Sequence, residues 1–488
     1  MGNSKRTIIL FNPRSMRGVR EDDSPPMGLL MAAIYLHNEF KIAIIDQRVE
    51  RNWKCQLVNL LKEAPVCIGI SAMTGKQIKG GLLASEMAKE TGCPVVWGGI
   101  HASLLPAQTL ENKSVDYVVQ GEGEEPFAQL VRAIASKASC RDIPGVWSKE
   151  NGKAVFARER DFIDLNKLPP IPYDLIDLRK YIKPCDYGKS LVLYTSRGCP
   201  QHCTFCFNRA YSRSRWRAMS AQRALEEVER VSKDYPDISH LQFWDDDFFA
   251  NLNRAREIAE GIRQLQPRVT WSVIGAHVRD ISRMDDGYLA CLRDSGLKEV
   301  LLGVESGSQR IIDLIQKNYV LEELFSSNSH LGNYNIRATY SFLSGIPGES
   351  DEDIKKTIEV MFRLKKDNPN IVVGNVKPFI CYPGTAIYEK MLASGFQPPE
   401  RLEDWSDFVW GNYLDVDIPW VSRKRRLFLV RLYYYTVLMN PDYIFTRSKL
   451  FTFVASLLRP IAEWRVRRLC FCFPVEAYFM RIIQKFFL

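Results

Sequence analysis

Short β-rich apolar runs alternate with helical stretches over the first part of the chain, at Thr7 to Phe11, Lys41 to Asp46, Val66 to Ser71, Val95 to Gly99 and Val115 to Gln120. Such alternation predicts a doubly wound α/β domain over 1–145 with a parallel sheet, whose ligands sit beyond the carboxyl ends of the strands. A proline-rich stretch, including Leu168 to Asp174 (LPPIPYD), predicts an extended linker over 146–190. Alternation resumes with longer helices at Leu191 to Thr195, Leu241 to Asp245, Thr270 to Ala276, Glu299 to Glu305, Arg337 to Leu343 and Gly374 to Cys381. A helix beginning after Ser220 carries Leu225, Val228 and Val231 on one face, as a barrel-covering helix does. Six strand-helix units predict a partial barrel over 191–397, with its chemistry at the C-terminal strand ends. The remaining 398–488 reads as a basic, aromatic helical region.

Composition narrows the class. The chain has 488 residues, 46% hydrophobic and 25% charged, which suits two or three globular domains. Its twelve cysteines are scattered apart from one cluster, and MGNSKRTIIL at the start carries no secretory h-region, so a reducing, cytoplasmic setting is expected. Arg6 stands where a myristoylation motif needs Ser or Thr. The net charge of +9 belongs to the tail: from Arg423 onward thirteen Lys or Arg face three acidic residues, a net +10, which leaves the body near −1. A nucleic-acid partner would want a basic body as well, so none is expected.

The chemistry is concentrated in Ser196-Arg-Gly-Cys199-Pro-Gln-His-Cys203-Thr-Phe-Cys206-Phe-Asn208. Three thiols at Cys-x3-Cys-x2-Cys spacing can hold three irons of a [4Fe-4S] cube and leave the fourth open to a ligand. Structural zinc normally takes four Cys or His ligands, and the one local candidate for a fourth, His202, adjoins Cys203 and points elsewhere. The segment, with aromatic Phe205 before the third cysteine, resembles the signature of the radical S-adenosylmethionine (SAM) enzymes. The resemblance implies that Cys199, Cys203 and Cys206 hold the cluster, that its open iron chelates SAM, and that electron transfer cleaves SAM to a 5′-deoxyadenosyl radical. A reductant protein such as flavodoxin or ferredoxin is then expected.

Loops at the strand ends of the first domain read Pro25 to Leu30 (PPMGLL), Ser71 to Gly75 (SAMTG), Gly98 to Ser103 (GGIHAS) and Gln120 to Pro126 (QGEGEEP). Glycines there let the backbone approach a flat or bulky ligand, and small hydroxyls can bond its edge. Gly69 to Gln77 misses a phosphate-binding loop by one residue and by Gln77. The loops resemble the cobalamin-binding domain that precedes the radical domain in one branch of the family. That likeness assigns Ser71, Thr74, Gly98, Gly99, His101, Gly121 and Glu122 to cobalamin. Many such domains supply a cobalt-ligating histidine after the first strand, but Asn12-Pro-Arg14-Ser-Met-Arg-Gly18 has none. His101 either substitutes for it or caps a helix or bonds the corrin edge or tail; the second reading is adopted, with no histidine on cobalt from this motif.

In the barrel the resemblance assigns Asp246 and Asp247 of Trp244-Asp-Asp-Asp-Phe248 to the SAM ammonium, Arg279 to its carboxylate and Glu305 of Gly303-Val-Glu-Ser-Gly307 to the ribose. Gly345-Ile-Pro-Gly-Glu349 and Tyr382-Pro-Gly-Thr385 resemble adenine-side loops. The whole implies an N-terminal Rossmann-like cobalamin domain, a partial (β/α)6 radical SAM barrel and a C-terminal helical region. It implies a methyltransferase acting on an unactivated carbon, with [4Fe-4S], SAM and cobalamin as cofactors and a small-molecule or lipid-like substrate. A cyclase or rearrangement enzyme without methyl transfer is the alternative, and a non-catalytic iron-sulfur protein a further one. No apolar run in the tail reaches the ~20 residues a spanning helix needs. Residues 423–488 either cover the open barrel, the reading preferred, or lie peripherally on a membrane.

Overall fold

The structure, a computed structural model, describes residues 5–15, 24–416, 418–440 and 449–478. Its first sheet contains β1 (Thr7–Asn12), β2 (Lys41–Asp46), β3 (Ile68–Ser71), β4 (Val95–Gly98), β5 (Tyr117–Val119), β6 (Val146–Glu150) and β7 (Lys153–Phe156) in the order β2-β1-β3-β4-β5-β6-β7. The first five strands are parallel. Ile8, Ile9, Leu10 and Phe11 of β1 are all buried, as expected of a strand covered on both faces. Helices Met27–Ala33, Trp53–Lys62, Lys76–Glu90 and Glu124–Ser136 supply the cover.

The antiparallel hairpin β6–β7 joins this sheet from within the stretch read as linker. Its turn is Asn151-Gly152, both residues at positive φ (50° and 79°), which is the strongest short hairpin signal a sequence offers. The rest of the strap buries Leu165, Leu168, Ile171, Tyr173, Leu178 and Tyr181 between the two domains' cores.

The second sheet begins with an antiparallel pair, β8 (Lys183–Cys185) and β9 (Gly188–Leu193). After the short ribbon of β10 (Ser196–Arg197) and β11 (Arg217–Ala218) come β12 (His240–Phe243), β13 (Thr270–Ala276), β14 (Leu297–Glu305), β15 (Arg337–Ser344) and β16 (Ile371–Pro378). Spatial order is β16-β15-β14-β13-β12-β9-β8, so six parallel strands run in sequence order and curl into an open half barrel. The helix Ala221–Asp234 is capped by the Ser220 hydroxyl, which accepts from the Arg223 amide, and buries Ala224, Val228 and Val231. The open side at β16 is covered by the helix Arg423–Met439: Leu429, Leu432, Tyr435 and Leu438 are buried, and the Val376 amide donates to Thr436 Oγ1 at 3.0 Å.

Candidate active site

The cysteine loop is an excursion closed at its neck by the β10–β11 ribbon, which pairs Ser196 with Ala218 and Arg197 with Arg217. Gly198, at φ 78°, begins the loop; a Cβ there would stand 2.2 Å from the Arg215 carbonyl, so only glycine fits. The middle of the loop is pinned through the Thr204 backbone, whose amide donates to Ile315 O (2.9 Å) and whose carbonyl accepts from the Ile387 amide (3.0 Å). Burial pushes all three thiols up, Cys206 to about 11, and Cys199 and Cys206 each feel Cys203 electrostatically. Thiolates in this place need cationic compensation, which Lys317 partly supplies to Cys203 and Cys206. Among the described residues no three His, Cys, Asp or Glu side chains converge on the position of a single metal ion.

The acidic run after β12 divides its labour. Asp245 is buried and accepts from the Thr195 amide (2.6 Å), the Thr195 hydroxyl (2.7 Å) and the Ser196 hydroxyl (2.8 Å), fixing the strand that enters the loop. Asp246 accepts from the Gly198 amide at 2.7 Å through one oxygen, and its side chain is otherwise exposed. Asp247 is buried beneath Cys199, whose thiol donates to Oδ2 at 3.6 Å, and its Oδ1 has no partner among the described residues. Burial, then the neighbouring Asp280, raise its carboxyl well above the usual range; burial raises Asp280 to about 6.

Glu305 ends β14 at φ 68°, where the register with β15 shifts. Its Oε1 accepts from Lys317 Nζ at 3.0 Å, and that ammonium lies 5.6 Å from the centre of the Phe205 ring. His277 Nε2 donates to the Lys317 carbonyl at 2.7 Å and holds the lysine's backbone in place. The structure therefore joins Phe205, Glu305 and Lys317 beside the cysteines. Lys317 carries no motif; it sits between Gln316 and Asn318, both at positive φ, in a tight turn. Arg279 lies exposed on the short helix Val278–Ser282 and does not line the cavity described next.

A cavity of about 590 Å³ lies between the two domains at the carboxyl edges of both sheets. Ser71, Gly98, Gly99, Gly121 and Glu122 line it from the first domain, and Asp246 from the barrel. A Cβ at Gly28, Gly98 or Gly123 would meet nothing closer than 3.5 Å, and at Gly121 nothing within 4 Å, so the rim is open because side chains are missing there. Such a cradle fits the broad face of a planar macrocycle.

Thr74 and His101 take no part in this cavity. They share a 3.0 Å hydrogen bond between Thr74 Oγ1 and His101 Nδ1, and the fully buried imidazole packs edge-on against Trp405 with 5.7 Å between ring centres. Burial pulls His101 down to about 4, so it is neutral at pH 7. Its Nε2 is buried without a partner among the described residues.

Glu122 is held from two sides. Arg197 reaches its Oε1 at 3.0 Å and Glu124 at 2.6 Å, while Arg217 reaches Glu122 at 2.6 and 3.1 Å; Arg160 donates to the Glu122 carbonyl. Burial alone would raise Glu122, but Arg197 and then Arg217 outweigh it and hold the carboxyl below its usual value. Because Arg197 lies two residues before Cys199, this clasp ties the cavity rim directly to the cysteine loop.

The C-terminal segment closes the fifth strand end. Trp420 Nε1 donates to Gly345 O (3.1 Å), Arg425 donates to Glu349 O (3.0 Å), and Glu349, raised to about 7 by burial, accepts from the Gly345 amide at 2.6 Å.

Comparison with known proteins agrees with this architecture. Residues 193–361 match the family model described as the radical SAM superfamily, and residues 13–131 match that of the B12 binding domain. The chain is 30% identical over 395 residues to the uncharacterized methyltransferase PH0819 of Pyrococcus horikoshii, covering 79% of this chain and 83% of that protein. It is 26% identical over 360 residues to the anaerobic magnesium-protoporphyrin IX monomethyl ester cyclase of Rubrivivax gelatinosus, covering 72% and 63%. Its fold is similar to that of TsrM, a radical S-adenosylmethionine methyltransferase from Kitasatospora setae whose structure holds cobalamin and a [4Fe-4S] cluster. The TM-score is 0.66 at 18% identity, over 81% of this chain and 79% of that one.

Proposed function

This chain belongs to the cobalamin-binding radical SAM family, and from that premise we propose that it methylates an unactivated carbon of a small-molecule or lipid-like substrate. The observation that carries the reading is the shared cavity: one space is bordered by the glycine rim of the B12-type domain and by Asp246 at the root of the cysteine loop. With cluster, SAM and cobalamin bound, the cofactors supply one-electron cleavage of SAM and delivery of a methyl group.

The chain's own residues hold and orient. Cys199, Cys203 and Cys206 would hold the cluster, with Lys317 offsetting the charge of Cys203 and Cys206. The remaining oxygen of Asp246 accepts from the SAM ammonium, and Glu305, steadied by Lys317, receives the ribose. Arg279 is a partner for the SAM carboxylate once its exposed side chain turns toward the site. Ser71, Gly98, Gly99 and Gly121 cradle the corrin, and Glu122 fixes that cradle to the cysteine loop. Thr74 and His101 brace it from behind. A flavodoxin- or ferredoxin-like protein delivers the electron, and no nucleic acid takes part. Among the described residues no helix is long and apolar enough to cross a membrane.

Ring closure or rearrangement is the second reading, and the likeness to the magnesium-protoporphyrin cyclase favours it. Anaerobic reconstitution with candidate substrates separates the two. Methyl transfer yields S-adenosylhomocysteine alongside 5′-deoxyadenosine, whereas 5′-deoxyadenosine with a modified but unmethylated product would replace the first reading by the second.

A further inference from the structure

The two C-terminal helices divide the basic, aromatic tail into an inner and an outer layer. The helix Arg423–Met439 is spent on covering β16. The helix Lys449–Arg468 packs outside it through Ala455, Ala462 and Val466, all buried, with Phe471 stacked on Tyr435 at the far end. Its opposite face is apolar as well. Phe453, Leu457, Ile461 and Trp464 are 45–63% exposed and recur after four, four and three residues, so they fall on one stripe about 80° wide and roughly 16 Å long. Phe473, Val475 and Tyr478, in the segment that follows the helix, are also 55–87% exposed. A continuous exposed row of large apolar side chains marks an interaction surface.

We propose that this face docks on an anionic lipid surface, with the helix lying in the interfacial plane. Charge selects the occupant. The tail carries +10 while the rest of the chain is near −1, and Arg467 and Arg468 are exposed at the end of the stripe. Contacts of Phe428 and Arg431 with Phe471 place the start of the inner helix, with exposed Arg423 and Lys424, toward that same end. A second copy of the chain would bring +10 against +10, and a nucleic acid would meet the charge but leave the apolar row uncovered. An anionic bilayer satisfies both, accepting aromatic and aliphatic side chains at the headgroup boundary and attracting the flanking arginines. The proposal stands independently of the reaction.

The test is co-flotation of the full-length, cofactor-loaded protein with phosphatidylcholine vesicles, with and without phosphatidylglycerol, followed by the Leu457→Glu/Trp464→Glu variant. Wild type is expected to float with the anionic vesicles, and more weakly in about 1 M salt, where the screening length falls from ~10 to ~3 Å. The variant should lose binding about tenfold or more, because each change removes an apolar group and adds a charge that the surface repels. Both positions are exposed, so melting temperature and iron and cobalt content should match wild type and separate loss of docking from loss of fold. No flotation under any condition, or equal flotation of the variant, would overturn the proposal. So would a dimer, seen by light scattering, that the variant abolishes without any lipid binding.

Discussion

The entry to the cysteine loop is tied by side chains, whereas the rim of the cavity in the first domain is shaped by the lack of them. Asp245, Asp246 and Asp247 hold Thr195, Ser196, Gly198 and Cys199 in turn, while Gly28, Gly98, Gly121 and Gly123 leave open space. The difference follows from what each region must hold. A small cube needs ligands fixed in direction, and a broad planar ring needs room and a backbone that approaches it closely. The clasp of Arg197 and Arg217 on Glu122 and Glu124 joins the two designs. The comparison can be broken at either region or at the clasp.

Removing one thiol has the largest expected effect. Cys203→Ala should reduce SAM cleavage, followed as 5′-deoxyadenosine by chromatography, to the background without enzyme, since an iron loses its only protein ligand. The absorption spectrum of bound cobalamin should persist. Loss of both together would mean that the two regions do not fold and load separately.

Filling the rim should do the reverse. Gly98 has an extended backbone (φ −149°, ψ −163°) that any residue adopts, so Gly98→Leu adds bulk without strain. Overpacking of this kind costs about 1–3 kcal/mol, which predicts about fivefold to hundredfold weaker cobalamin binding by equilibrium titration. Iron content should be unchanged, and unaltered cobalamin affinity would show that the ligand sits elsewhere.

The clasp comes next. Glu122→Gln leaves Arg217 facing a neutral amide while Arg197 keeps its pair with Glu124, and breaking a buried pair in this way costs about 3 kcal/mol, read as a lower denaturant midpoint. Its carboxyl is held below the usual range. The contribution is therefore complete above the ordinary carboxylate pKa and is lost as pH falls through the depressed folded value. Wild type and variant should differ equally at pH 6 and pH 8 and converge only in acid; a difference that shrinks between pH 6 and pH 8 would show that Glu122 is not the charged partner.

What the sequence disclosed tracks how local each feature is. The thiol triad and the strand runs are written in spacing along the chain, and the parallel strands fall where the apolar runs lie. The hairpin β6–β7 was also written locally, in Asn151-Gly152, but its strands are short and charged and it hid inside a proline-rich stretch. The clasp joins residues 122 and 197, and Lys317 meets Glu305 only because a tight turn folds it back; pairs formed by tertiary approach leave no period to read. Thr74 and His101 are the instructive case. They occupy the loops that a ligand reading selects, yet on the helix that begins at Gly99 consecutive side chains diverge, so that Ile100 lines the cavity and His101 does not.

That placement yields the smallest expected effect. His101 is buried against Thr74 and Trp405, so His101→Ala should lower stability by about 1–3 kcal/mol through lost packing and an unpaired hydroxyl. The cobalt should not notice. A ligating imidazole would print nitrogen hyperfine structure on the Co(II) electron paramagnetic resonance spectrum. The wild-type spectrum is expected to lack a His101-dependent pattern, and the variant to superimpose on it once loaded to the same cobalt content. Hyperfine lines that vanish with His101 would place the imidazole on the metal and require the helix Gly99–Leu104 to turn its buried face outward when cobalamin binds. Part of the cavity wall would then be movable, and the contrast between a fixed cysteine loop and a preformed rim would fail at that one residue.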